Sequence, residues 1–98
     1  MISASAAQSV MAELCRRGLS DLLESVCRQR GVMPEELYGG CRTQSVARAR
    51  HELWWRIRAL PDRDYSYPEI ARMFGCDSST VLHGVRAFQR RLASAERS

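Results

Sequence analysis

The chain has 98 residues, room for one domain and one modest core. Its apolar share of 45% argues against disorder along the whole chain, and no apolar run approaches the roughly 20 residues of a membrane helix. The formal net charge is +4, and every one of the 15 basic residues is arginine, a skew in usage that carries little physical meaning by itself.

Helical periodicity runs through the chain, while strand signals are scarce: there is no alternating run of β-branched residues and no hairpin dipeptide. An Ala/Ser-rich opening leads into Val10-Met11-Ala12-Glu13-Leu14, expected to be helical as far as Gly18. Ser20-Asp21 is expected to cap a second helix, Leu22 to Arg30, which Gly31 stops. Val32 to Tyr38 reads as a turn with a short helical piece, and Gly39-Gly40 loosens the chain before Cys41-Arg42-Thr43-Gln44.

The longest helical stretch in this reading is Ser45 to Leu60. Val46, Ala49, Leu53, Ile57 and Leu60 recur at three- and four-residue steps and share one face. Trp54 lies beside that stripe and is expected in the core, whereas Trp55 is open between core and a partner surface. Pro61 ends the helix, because it cannot continue one and disfavours helix in the residue before it. Ser66-Tyr67-Pro68-Glu69 then has the capping-box form and launches a short helix through Ile70 and Met73. Phe74-Gly75-Cys76 makes a turn, and Asp77 caps a last helix through about Leu92.

Ala71, Gly75 and Val81 have the spacing of a helix-turn-helix. A small residue is needed where the helices nearly touch, glycine suits the tight turn, and the apolar Val81 anchors the second helix. In that second helix Val81, Val85, Phe88 and Leu92 form an apolar stripe, and Ser79, His83, Arg86 and Arg90 repeat at the same steps on the far side. Such a division suits a recognition helix: small polar side chains near its start approach base edges, and later arginines reach phosphates. Thr80 can offer a methyl group to thymine. Charge is distributed accordingly. Residues 1–40 hold four arginines against five acids, net −1, and residues 41–98 hold eleven against six, net +5. The C-terminal part is therefore the candidate for meeting a polyanion. An ordinary helical hairpin with a solvated arginine face is the plainer alternative.

Other chemistries find little support. Cys15, Cys27, Cys41 and Cys76 form no Cys-x-x-Cys pair, and with His51 and His83 they lack metal-ligand spacing, so free thiols and no bound metal are expected. No catalytic constellation, phosphate-binding glycine motif or cofactor motif is visible, so neither an enzyme nor a small-molecule substrate is expected. Met1 to Val10 lacks the basic start of a secretory signal, which predicts a cytoplasmic protein with reduced thiols and no membrane association.

Two segments together resemble the C-terminal origin-binding domain (domain IV) of the bacterial replication initiator DnaA. Arg42-Thr43-Gln44-Ser45-Val46-Ala47-Arg48-Ala49-Arg50-His51 looks like that family's basic loop and following helix. Ser66 to Gly75, followed by Asp77-Ser78-Ser79-Thr80-Val81-Leu82-His83-Gly84, looks like its Pro-Glu-Ile-Gly helix, turn and Asp-His-Thr-Thr-Val-Leu-His-Ala signature. The similarity covers roughly residues 20 to 92 in matching order.

The resemblance implies an all-α fold, a small helical bundle with a helix-turn-helix of the Trp-repressor-like superfamily. It implies sequence-specific binding of double-stranded DNA, with Arg42 in the minor groove and Arg50 and His51 near the backbone. Asp77, Ser78, Ser79, Thr80 and His83 correspond to major-groove contacts, and Arg86 extends that face; Asp77 has a competing duty as N-cap. Ser78 stands where the family has a base-contacting histidine, Ser79 where it has threonine, and Ala49 where proline is usual. The turn Gly75-Cys76 is also one residue shorter.

The expected organisation is a helical extension over 1–18, the DnaA-like domain over 19–93 and a frayed tail over 94–98. Because 98 residues do not accommodate the family's ATPase module, the expected role is that of a stand-alone, nucleoid-associated regulator of replication or transcription. Alternatives are a protein-interaction adaptor, or a piece that targets a mobile-element or phage enzyme to DNA. A homodimer or a partner protein would use Val10, Leu14, Leu22, Leu23 and Val26 of the N-terminal part, residues that equally suit a small core.

Overall fold

The computed structural model describes residues 12–38, 43–61 and 64–97. Residues 12–16 are helical, and five helices follow: α1 (Ser20–Arg30), α2 (Pro34–Tyr38), α3 (Gln44–Arg58), α4 (Tyr67–Phe74) and α5 (Ser78–Arg97). The described residues contain no strand. This is the expected all-α bundle, with α3 at its centre: α1, α2 and α5 pack on α3, and α4 packs on α5.

The core is one cluster, to which every helix contributes. Val46, Ala49, Leu53, Trp54 and Ile57 come from α3, Leu23 and Val26 from α1, Ile70, Ala71 and Phe74 from α4, and Val81 and Val85 from α5. Leu14 and Leu37 join it. Burial of the α3 stripe follows from its spacing, which places those side chains on one helical face. Leu14, Leu23 and Val26 are core residues, Leu22 is half-buried, and Val10 lies outside the described residues.

Several helix ends depart from the sequence expectation. Helix α1 starts at Ser20, with Leu19 as its N-cap and no side-chain cap bond, so Ser20 and Asp21 belong to the first turn. The cause lies just upstream. Gly18 adopts a left-handed conformation, its N–H donates to the Cys15 carbonyl, and the Leu19 N–H reaches back to the Leu14 carbonyl at 2.8 Å. That double closure ends the preceding helical turn. Leu19 is buried, and its own carbonyl accepts the N–H of Leu23, so a packed leucine rather than a polar cap starts α1. Asp21 still places a negative charge at the positive end of the helix.

Helix α3 ends at Arg58 instead of Leu60, consistent with the exclusion of helix from the residue before Pro61. Helix α5 runs to Arg97, past the expected end near Leu92. Leu92, expected in the buried stripe, is 37% exposed. It lines a shallow groove with Leu22, Trp55, Ala59 and Phe88, where Trp55 and Phe88 have ring centres 5.1 Å apart.

One carboxylate belongs to this interior. Glu52 is 5% exposed and receives Arg30 Nε at 2.6 Å and Arg56 Nη2 at 2.6 Å, which ties the end of α1 to the middle of α3. Burying a carboxylate is costly unless its oxygens are paired, and here both are.

Candidate nucleic-acid interface

Helix α4 begins as its sequence predicts. The Ser66 hydroxyl accepts the Glu69 N–H at 3.3 Å, and a Glu69 carboxylate oxygen accepts the Ser66 N–H in return, with proline in the first turn. The far end closes at Gly75, whose φ of +67° is a left-handed conformation that side chains disfavour. The Cys76 N–H then returns to the Ala71 carbonyl at 3.0 Å. That carbonyl belongs to the small residue expected where the two helices nearly touch, and Ala71 is buried. The Asp77 carbonyl next accepts the N–H groups of Thr80 and Val81, so Asp77 occupies the N-cap position of α5.

The two faces of α5 separate as expected up to Phe88. Val81, Val85 and Phe88 are buried, while Ser79, His83, Arg86 and Arg90 are exposed. Asp77, Ser78 and Thr80 are exposed as well, which groups six of the expected contact residues over the first turns of one helix. Among the described residues, none of the side chains of Ser79, Thr80, His83, Arg86 and Arg90 is held by a hydrogen bond or ion pair. They are free to meet another molecule.

The remaining expected contacts differ. Arg42 lies outside the described residues. Arg50 is half-buried and donates from Nε to the Leu37 carbonyl at 3.2 Å, bracing the end of α2 against α3. It also reaches the helix-turn-helix electrostatically. Burial pushes the Cys76 thiol pKa up, the Arg50 cation opposes that rise, and Asp77 adds to it.

His51 is half-buried between α3 and α5, stacked obliquely on Trp54 with ring centres 5.9 Å apart. Arg91 Nη2 lies 3.4 Å from its Nδ1. A guanidinium can only donate, so a hydrogen bond at this contact requires an accepting Nδ1, as in the neutral ring with its proton on Nε2. Burial lowers the His51 pKa below its ordinary value, and Arg91 and Arg50 push it the same way. This histidine is engaged inside the fold.

Two residues of consequence were not singled out from sequence. Glu52 is one. The other is Gly84, buried in α5 where a Cβ would lie 2.7 Å from Trp54 Cε3 and 2.7 Å from His51 Cδ2. A signal existed for it: glycine inside a helix costs about 1 kcal/mol relative to alanine, so its presence there often marks a close approach.

No group of three or more potential metal ligands occurs among the described residues, and Cys15, Cys27 and Cys76 are free thiols. No helix among them is long and apolar enough to cross a membrane.

The family described as bacterial dnaA protein helix-turn-helix matches residues 19–87, which include α1 to α4 and the exposed start of α5. The chain belongs to this DnaA helix-turn-helix family. Membership implies DNA binding. Chromosomal replication initiator proteins DnaA are similar to it in sequence: that of Deinococcus radiodurans is 37% identical over 67 residues, 68% of this chain and 14% of the relative. The Rhodopseudomonas palustris protein is 38% identical over 72 residues, covering 72% of this chain and 15% of the relative. The Sphingopyxis alaskensis protein is 33% identical over 92 residues, 92% of this chain and 20% of the relative. The chain thus spans a fifth or less of the length of these DnaA relatives. No solved structure matches it significantly.

Proposed function

We propose that the protein binds double-stranded DNA sequence-specifically, as a stand-alone DnaA-like regulator of replication or transcription at the nucleoid. The start of α5 enters the major groove. Ser78, Ser79, Thr80 and His83 face base edges, and Arg86 and Arg90 reach phosphates. Arg42, just ahead of α3, enters the adjacent minor groove, and Arg50 lies near the backbone.

The observation that carries this reading is the face of α5 itself. Its polar side chains are exposed and unengaged among the described residues, while Val81 and Val85 fix the same helix in the core. A rigid helix with an uncommitted polar and basic face suits groove recognition, because little order is lost on binding. The altered tip, with Ser78 and a short turn, favours a DNA target that departs from the DnaA box.

The test is a gel-shift titration of wild type against duplex DNA over a salt series. The logarithm of affinity should fall linearly with the logarithm of salt concentration. Arg42→Ala and Thr80→Ala should each weaken binding to a duplex selected from a random pool while the fold survives. Wild type with no salt-dependent duplex binding overturns the proposal. Sequencing the selected pool identifies the target.

A further inference from the structure

Recognition requires more than an exposed face. The face must be held at a fixed angle to the rest of the DNA-contacting surface, since misplacement by an ångström spoils hydrogen bonds to bases. In this fold the angle depends on how closely α5 sits on α3. The closest approach is at Gly84, whose absent side chain leaves the helix backbone directly against the Trp54 ring and the His51 imidazole. A Cβ there would stand 2.7 and 2.8 Å from two ring carbons of Trp54. Favourable carbon–carbon contact begins at about 3.5 Å, so a single added methyl requires one of the partners to move by most of an ångström.

Trp54 is not the partner that moves. It is 1% exposed, and the atoms in question belong to the body of the ring rather than to a flexible end. Its ring also meets Phe74 edge-on, with centres 5.9 Å apart. The indole therefore touches both helices of the helix-turn-helix, α4 through Phe74 and α5 through Gly84. Its Nε1 is buried with no hydrogen-bond partner among the described residues, so packing and the ring contacts with His51 and Phe74 hold the indole. Gly84 immediately follows His83 and lies one turn beyond Thr80, so a displacement here carries the exposed face with it.

We infer that Gly84 and Trp54 form a positioning pair that sets the angle of the recognition helix and thereby the specificity of DNA binding. This rests on the proposed DNA reading. Gly84→Ala lifts α5 from its seat. Trp54→Met leaves the seat too deep, since the thioether is slimmer than the indole. The two substitutions together offset one another, because methionine adapts to irregular space and the replaced indole made no hydrogen bond.

The experiment measures the affinity of the full chain and of these three variants for two duplexes: one selected by wild type from a random pool, and one of random sequence. Circular dichroism and thermal melting establish that each variant is folded. Gly84→Ala should lose at least about tenfold for the selected duplex, comparable to one mismatched base pair, while random-duplex affinity stays within about twofold. Trp54→Met should lose discrimination in the same sense, and the double variant should regain most of it. Folded single variants that discriminate as wild type does overturn the inference. So does an equal loss on both duplexes, which marks a merely structural role. Where Gly84→Ala alone does not fold, Trp54→Met must discriminate less well than the double variant, and the reverse order overturns the inference. Wild type that binds neither duplex overturns the DNA reading and this inference together, a result distinct from failure of the inference alone.

Discussion

The arginines of this protein fall into two populations that the sequence writes identically. Arg30 and Arg56 close on the buried Glu52, Arg58 donates to the Tyr65 carbonyl at 2.7 Å and lies over the Tyr67 ring, and Arg91 reaches His51. Arg17 pairs with Glu13 near the start of the described chain. Arg48, Arg72, Arg86 and Arg90, by contrast, are exposed and make no hydrogen bond or ion pair among the described residues. The first population is consumed by the fold. The second, to which the exposed and unpaired Arg28 of α1 also belongs, supplies positive charge available to a phosphate backbone. Glu13 and Glu52 each hold two arginines, so these guanidiniums are engaged by the fold without being fully neutralised.

The two populations should separate on mutation. The largest loss of stability is expected from Glu52→Ala, which leaves Arg30 and Arg56 without their shared acceptor. Both arginines remain partly hydrated, so a cost of about 2 kcal/mol is expected by urea unfolding. A smaller value, below about 0.5 kcal/mol, would place these arginines with the free population. Next comes Ser66→Ala, which removes the cap of α4 and should cost about 1 kcal/mol in the same assay.

A smaller effect distinguishes His51, which belongs with the consumed group through Arg91. Its pKa is lower folded than unfolded, so the unfolded chain binds the proton first and stability falls as the pH drops below about 6.5. Melting temperature should decline between pH 7 and pH 5.5 in wild type and decline less in His51→Gln. Equal declines would mean that the imidazole is solvated. Glu13, whose carboxyl Arg16 and Arg17 hold below its ordinary pKa, contributes only in a lower window, as the pH falls below about 4.5.

The smallest change in stability is expected from Arg86→Ala, within about 0.5 kcal/mol as for other exposed sites. Its effect should appear in binding, as weaker duplex affinity and a salt slope reduced by about 1. Loss of stability without loss of affinity would move Arg86 into the first population.

Much of the fold was legible before the structure, for local reasons. Ser66 and Glu69 are three residues apart, and a capping box needs nothing else. Val81, Val85 and Phe88 recur at helical spacing, so the buried face of α5 could be read directly. The exposed face Ser79, His83, Arg86 and Arg90 followed from the same periodicity, which is why most of the candidate site was available from the chain alone. The start of α1 differs from the Ser20-Asp21 cap because the left-handed Gly18 closes the preceding turn and the buried Leu19 takes the N-cap place, which the polar residue types do not signal. Leu92 departs from the expected stripe because periodicity says which way a side chain points and not how closely its neighbours cover it.

The sequence by itself determined the helical class, the helix-turn-helix spacing, the polar start of α5 and the family to which the chain belongs. These depend on neighbours within a turn or two, or on an ordered series of residue types. Only the tertiary structure decided which arginines are spent, that His51 is folded inward, and that Gly84 rests on Trp54. Each of those joins residues at least 22 positions apart or on different helices, apart from the local Arg17–Glu13, Arg56–Glu52 and Arg58–Tyr65 pairs, and a one-dimensional pattern carries no distance between helices. Burial, pairing and close approach are properties of the packed bundle, and they appear only when α3 lies against its neighbours.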